Sequence, residues 1–156
     1  MHRRLILGLC APVFLALTPE VCAATKDSCP VTTAPASPFV PPAPYRAIPP
    51  PGLFWYGTNG LWTWLPTEGV WRSLTNKLFL WQEGYDVHKE PEPDIIVVLR
   101  RLDANMPLVA SRGGTNAHLD DGWLMLTGLT FPSEGCWEIT TYHAGHTLTF
   151  VASIQP

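Results

Sequence analysis

Charge is scarce in this chain of 156 residues: 10 Lys and Arg stand against 13 Asp and Glu, and charged residues make up only 15%. A balance so low and slightly negative leaves no basic footprint for nucleic acid or for an anionic membrane surface. The apolar run 5–17 falls short of the roughly 20 residues a spanning helix needs, and no later stretch is uninterrupted for that long. No window carries a convincing amphipathic helix of three turns.

Reactive motifs are lacking too. Ser73, Ser111 and Ser133 lie in Arg-Ser-Leu, Ala-Ser-Arg and Pro-Ser-Glu contexts, none of them a Gly-x-Ser-x-Gly elbow. Arg112-Gly113-Gly114-Thr115 lacks the strand-loop-helix setting of a phosphate-cradling loop. The acidic stretch 88–94 is broken by Pro91 and Pro93, so it reads as a solvated loop rather than a carboxylate pair. Enzymatic activity is therefore not expected, and no cofactor is implied.

The N-terminus has the three regions of a secretory signal: Arg3-Arg4, the apolar run, and Val21-Cys22-Ala23-Ala24 with small residues at the cleavage positions. Neither Cys10 nor Cys22 follows a Leu-small-small pattern, and Arg3-Arg4 lacks the rest of a twin-arginine motif, so general secretion is expected. Removing residues 1–24 leaves 8 basic and 12 acidic residues, a net charge of −4. The remaining chain suits one domain in the periplasm or outside the cell.

Two cysteines survive that cleavage, Cys29 and Cys136. An even count in an oxidising compartment reads most simply as one disulfide, the alternatives being free thiols or a bond between chains. Period-two alternation puts Trp137 and Ile139 on one face and Cys136 with Glu138 on the other, so Cys136 faces outward. A bond to Cys29 would pin the N-terminal segment across the outer face of a sheet.

Nine prolines fall between Pro30 and Pro51. Proline fixes φ and donates no backbone hydrogen bond, so residues 25–52 are expected to be an extended stalk or a surface-hugging strap. From residue 53 onward the chain breaks into short runs rich in aromatic and branched residues: 53–56, 61–65, 70–74, 77–82, 95–101, 108–111, 123–131, 136–142 and 146–154. Turn signals such as Asn59-Gly60, Arg112-Gly113-Gly114, Asp121-Gly122 and Ala144-Gly145 separate them. This spacing predicts an all-β domain over 53–156, an antiparallel sandwich of the immunoglobulin-like kind, with a jelly roll or an up-and-down barrel as alternatives.

The stretch Gly135-Cys136-Trp137-Glu138-Ile139-Thr140, returning as Leu148-Thr149-Phe150-Val151, resembles the terminal hairpin of uncharacterised secreted bacterial proteins with an immunoglobulin-like domain. Phe54-Trp55-Tyr56-Gly57 with Leu61-Trp62 is similar to the start of the same proteins. The resemblance implies a fold, and no activity comes with it.

Nine of the 17 aromatics lie between Phe54 and Tyr85. Trp62 and Trp64 are two apart, so a strand through them puts both rings on one face. With Trp55 and Trp81 they are candidates for a sugar-stacking surface, against the plainer reading that such rings fill a core. His143 and His146 flank Ala144-Gly145 and would face each other across a two-residue hairpin, about 4.5 to 5.5 Å apart at Cβ. They could share Cu(II) or Zn(II) if His88, His118, Asp120 or Asp121 supplied further ligands, but a His-x-x-His alone is weak evidence, and exposed turn histidines that bind nothing are the preferred reading. The expected function is that of a non-enzymatic module of the cell envelope, interacting with or scaffolding an unidentified protein or glycan. Carbohydrate binding and periplasmic Cu/Zn binding are the alternatives.

Overall fold

The computed structural model describes residues 28–156 except 46, 47, 59 and 121, so the expected signal peptide at 1–24 lies outside the described residues. Among the described residues there are ten strands and no helix. The five-stranded sheet runs in the order β3 (Val70–Trp71), β10 (His146–Ile154), β9 (Gly135–His143), β5 (Ile96–Arg101) and β6 (Val109–Arg112). Opposite it lie the hairpin of β1 (Leu53–Thr58) with β2 (Leu61–Pro66) and the three strands β4 (Thr75–Leu80), β8 (Gly122–Thr130) and β7 (Thr115–Leu119). Paired backbone bonds of 2.9 and 3.0 Å between Trp62 and Trp81 join β2 to the end of β4, so these five strands act as one layer.

The domain is an all-β sandwich consistent with the immunoglobulin-like class, antiparallel except for the two-residue pairing of β3 with β10. The final strand behaves as its alternation predicts: Leu148, Phe150, Ala152 and Ile154 are buried, while Thr147 and Thr149 point outward. Ala144 and Gly145 both have positive φ, 46° and 80°, as the tight two-residue turn of the β9–β10 hairpin requires. One strand escapes the sequence pattern. β7 reads Thr-Asn-Ala-His-Leu, with one good β-former in five, and it forms because β8 offers it a long partner.

The layer β1–β2–β4–β8–β7 is apolar on both faces. Phe54, Leu61, Leu65, Leu78, Leu80, Met125 and Leu129 point inward, where they meet Val97, Leu99, Trp137, Ile139 and Phe150 of the opposite sheet. Trp55, Trp62, Trp81 and Leu124 point the other way and are nevertheless 0–2% exposed. A second cover is needed for that face, and the proline-rich segment supplies part of it. Phe39 and Tyr45 pack on Trp62 with ring centroids 5.7 and 5.0 Å away, and Pro41 is buried.

The described part of the proline-rich segment is thus a strap bound to the body, not a projecting stalk. Its start is fixed by the Cys29–Cys136 disulfide, whose Cα atoms are 5.4 Å apart. From there it crosses to the edge of β10, where Thr32 N–H donates to Val151 O and Val151 N–H donates to Thr32 Oγ1, both at 2.9 Å. Cys136 does point to the outer face of β9, and it is only 4% exposed.

Candidate functional site

Of the candidate residues, the four tryptophans come together and the two histidines come together, in different places. Register explains the first group: Trp55 lies opposite Trp64 on β1 and β2, and Trp62 opposite Trp81. Ring centroids are 5.4 Å apart for Trp55–Trp64, 5.0 Å for Trp55–Trp81 and 4.9 Å for Trp64–Trp81, mostly edge-to-face or tilted, as aromatic quadrupoles prefer.

This corrects the expectation of a sugar-stacking surface on these rings. Trp55, Trp62 and Trp81 are buried and Trp64 is half-buried beneath Phe79 and its neighbours, so none presents an open, coplanar face to a pyranose. The tryptophan exposed to solvent is Trp123, at 46%, and the ring of His118 stands edge-on to it at 5.0 Å.

The buried cluster is polar in one respect. The indole Nε1–H groups of Trp55, Trp62 and Trp81 are buried with no hydrogen-bond partner, and Thr141 Oγ1 is the one other such side-chain atom among the described residues. A buried donor left unpaired forfeits about 1–3 kcal/mol. Beside Trp55, between the strap and β1, a cleft of about 290 Å³ is lined by Pro35, Ser37, Phe39, Trp55, Tyr56 and Gly57. Its lining carries no charge.

His143 and His146 are register partners, as the hairpin predicts. His143 is not an exposed turn residue, however: its side chain is 1% exposed. Its Nδ1 lies 2.7 Å from Gln82 Oε1 and its Nε2 3.1 Å from Glu90 Oε1, so both ring nitrogens are engaged and a metal would have to break this knot. His146 is exposed and borders Gly60 of the β1–β2 turn. Among the described residues no group of three or more His, Cys, Asp or Glu is placed to hold a metal. His88 and His118 are exposed on other segments, Asp120 does not join the pair in such a group, and Asp121 lies outside the described residues.

The partners of His143 carry no motif in the sequence. Tyr85 packs on its ring and donates its hydroxyl to Glu90 O at 2.9 Å while meeting Asn116 Oδ1, and Asn116 Nδ2–H donates to Glu90 O and Pro91 O. Burial pushes the Tyr85 phenol upward, the Glu90 charge adds to this and the Asn116 contact opposes it. The knot fastens the loop 82–95 to β7 and β9. With its imidazole sealed from solvent, it holds the loop in place and is not open to a substrate.

Beside the disulfide, a cleft of about 420 Å³ is lined by Cys29, Cys136, Arg101, Asp103 and Glu134, among others. Asp103 accepts from Arg101 Nε at 2.6 Å and from the Cys136 N–H at 3.1 Å, and the Arg101 bond holds its carboxyl below the usual carboxylate range. The Arg101 guanidinium also lies 5.8 Å from the ring centroid of Trp137. The disulfide is compatible with an oxidising compartment.

Phe39 and Tyr45, which seat the strap on Trp62, are positions that sequence reasoning passed over. The signal was there: they are the aromatic residues of a segment otherwise dominated by proline and small residues. No protein-family model, no curated protein and no solved structure matches the chain.

Proposed function

We propose that the protein is a non-enzymatic, exported interaction or scaffolding module of the cell envelope, of the kind found in secreted bacterial proteins with immunoglobulin-like domains. The observation that supports this reading is a pair of open sheet edges. Among the described residues β6 pairs with β5 alone and β7 with β8 alone, and Gly113-Gly114 separates the two strands. Unpaired rows of N–H and C=O are templates on which another chain can add a strand. Exposed apolar groups flank them: Leu108, 61% exposed, precedes β6, and Trp123 lies opposite His118 of β7. By contrast, the outer edge of β10 is closed by β3 and by Thr32.

The test places a photo-crosslinking residue at Ala110 on β6, at Thr115 on β7 and, as a control, at Thr147 on the outer face of β10. The module reading expects one discrete adduct from Ala110 or Thr115 and none from Thr147 in cells that express the protein. Equal labelling from all three positions, or none from any, overturns it.

A further inference from the structure

We propose that the outer aromatic face of the β1–β2–β4–β8–β7 layer is a recognition groove for a proline-rich extended segment of another polypeptide, and that the chain's own strap keeps it closed. This rests on the reading of the protein as a binding module, but it uses a different surface from the open edges, so the two tests fail independently.

The chemistry of the face selects the occupant. It is built from Trp55, Trp62, Trp64, Phe79 and Trp81, and its unsatisfied groups are all donors, the indole N–H groups of Trp55, Trp62 and Trp81. A proline-rich segment is the complementary ligand, because it offers carbonyl acceptors, lacks N–H groups at each proline and lays flat prolyl rings on aromatic ones. Its polyproline conformation is set before binding, so little ordering entropy is lost. A sugar is a poorer match: each hydroxyl brings a proton that needs an acceptor, and these side chains provide none.

The strap shows that such a segment fits. Phe39 and Tyr45 seat it on Trp62, and Pro41 is buried. Its hold is nonetheless incomplete. Among the described residues no backbone hydrogen bond ties residues 33–44 to the body; the middle rests on ring contacts and on a 3.4 Å bond from Tyr45 Oη–H to Gln82 O. Its register is fixed at one end by Cys29 and Thr32 and at the other by its entry into β1, and in that register the carbonyls of its described residues miss all three indole donors. A segment free to choose its register can meet them, and the cleft lined by Pro35, Ser37, Phe39 and Trp55 gives it a place to start.

The experiment follows the indole N–H resonances of the oxidised, full-length protein while a synthetic peptide of the strap's own sequence, 33–45, is added. Saturable shifts of the Trp55, Trp62 and Trp81 signals are expected. Phe39→Ala with Tyr45→Ala removes the internal competitor and is expected to tighten peptide binding about tenfold or more. Trp81→Phe keeps a ring but lacks the donor and is expected to weaken binding several-fold. Should the double variant not fold, Phe39→Leu is expected to give a smaller gain of the same sign. The proposal is overturned if no indole signal moves up to about 5 mM peptide, a concentration at which even a Kd of about 1 mM would show as near-saturation. It is equally overturned if loosening the strap leaves affinity unchanged, or if oligosaccharides move these signals and the peptide does not.

Discussion

Breaking the Cys29–Cys136 bond tests whether the strap belongs to the folded body. The bond closes a loop with a sequence separation of 107 residues. On a chain-entropy account a loop of about 100 residues restricts the unfolded chain by an amount worth roughly 4.7 kcal/mol. For a domain of this size, an unfolding entropy of about 2.1 cal/mol/K per residue turns that figure into a fall in Tm of roughly 15 °C. The native state changes little at first, because Thr32 still bonds Val151 and Phe39 and Tyr45 still pack on Trp62. The assay is a pair of thermal melts, oxidised against reduced, repeated with Cys29→Ser/Cys136→Ser to exclude effects of the reductant. Quenching of tryptophan fluorescence below the transition reports on the strap, and only a modest rise is expected there. A fall in Tm under about 4 °C would refute the reasoning, since about 1 kcal/mol is too little for a tether that closes most of the chain.

Asp103 offers a prediction in pH. Its folded-state pKa lies below the unfolded value because of Arg101, so its stabilising effect is complete above about pH 4 and is lost as pH falls through the depressed value. Asp103→Asn should therefore cost about 1.5 kcal/mol at neutral pH in urea unfolding and progressively less below pH 4; a loss independent of pH contradicts the assignment. Gly57→Ala probes the close approach of β1 and β2: with φ at +138°, an added Cβ would lie 2.4 Å from Leu61 O and 2.6 Å from Trp62 Cα. A loss of more than about 2 kcal/mol in the same assay is expected, and a neutral substitution would show that the hairpin can open at no cost.

Much of the fold was legible in the sequence because period two survives wherever one face of a strand is buried. β10 and β9 carry that alternation cleanly, and the pairing of Cys29 with Cys136 agrees with the reading of the two cysteines that follow residue 24. β7 was illegible because an edge strand built from Thr, Asn, Ala and His borrows its conformation from β8. The candidate sites were less legible still. Alternation showed that Trp62 and Trp64 share a face, but not whether that face was covered, since the cover comes from residues 39–45 with no periodicity of their own. The knot around His143 joins Gln82, Tyr85, Glu90 and Asn116 across loops, and no local pattern encodes such a meeting.

A sheet layer that is apolar on both faces needs two covers, and the strands among the described residues provide only one. Every residue from Leu61 to Leu65 is buried or half-buried, the odd positions against the opposite sheet and Trp62 and Trp64 toward the strap. Proline is suited to the second cover because a segment without regular N–H donors cannot extend the sheet edge and so lies over the rings. The strap's fixed register, however, leaves the indole donors unpaired: a cover held by ring contacts and two end tethers satisfies the apolar part of the face and not its N–H groups. Stability and recognition therefore draw on one surface. Substitutions that fasten the strap more tightly are expected to raise Tm while lowering affinity for a proline-rich segment, and a thermal melt set beside the indole titration would show whether the two move in opposite directions.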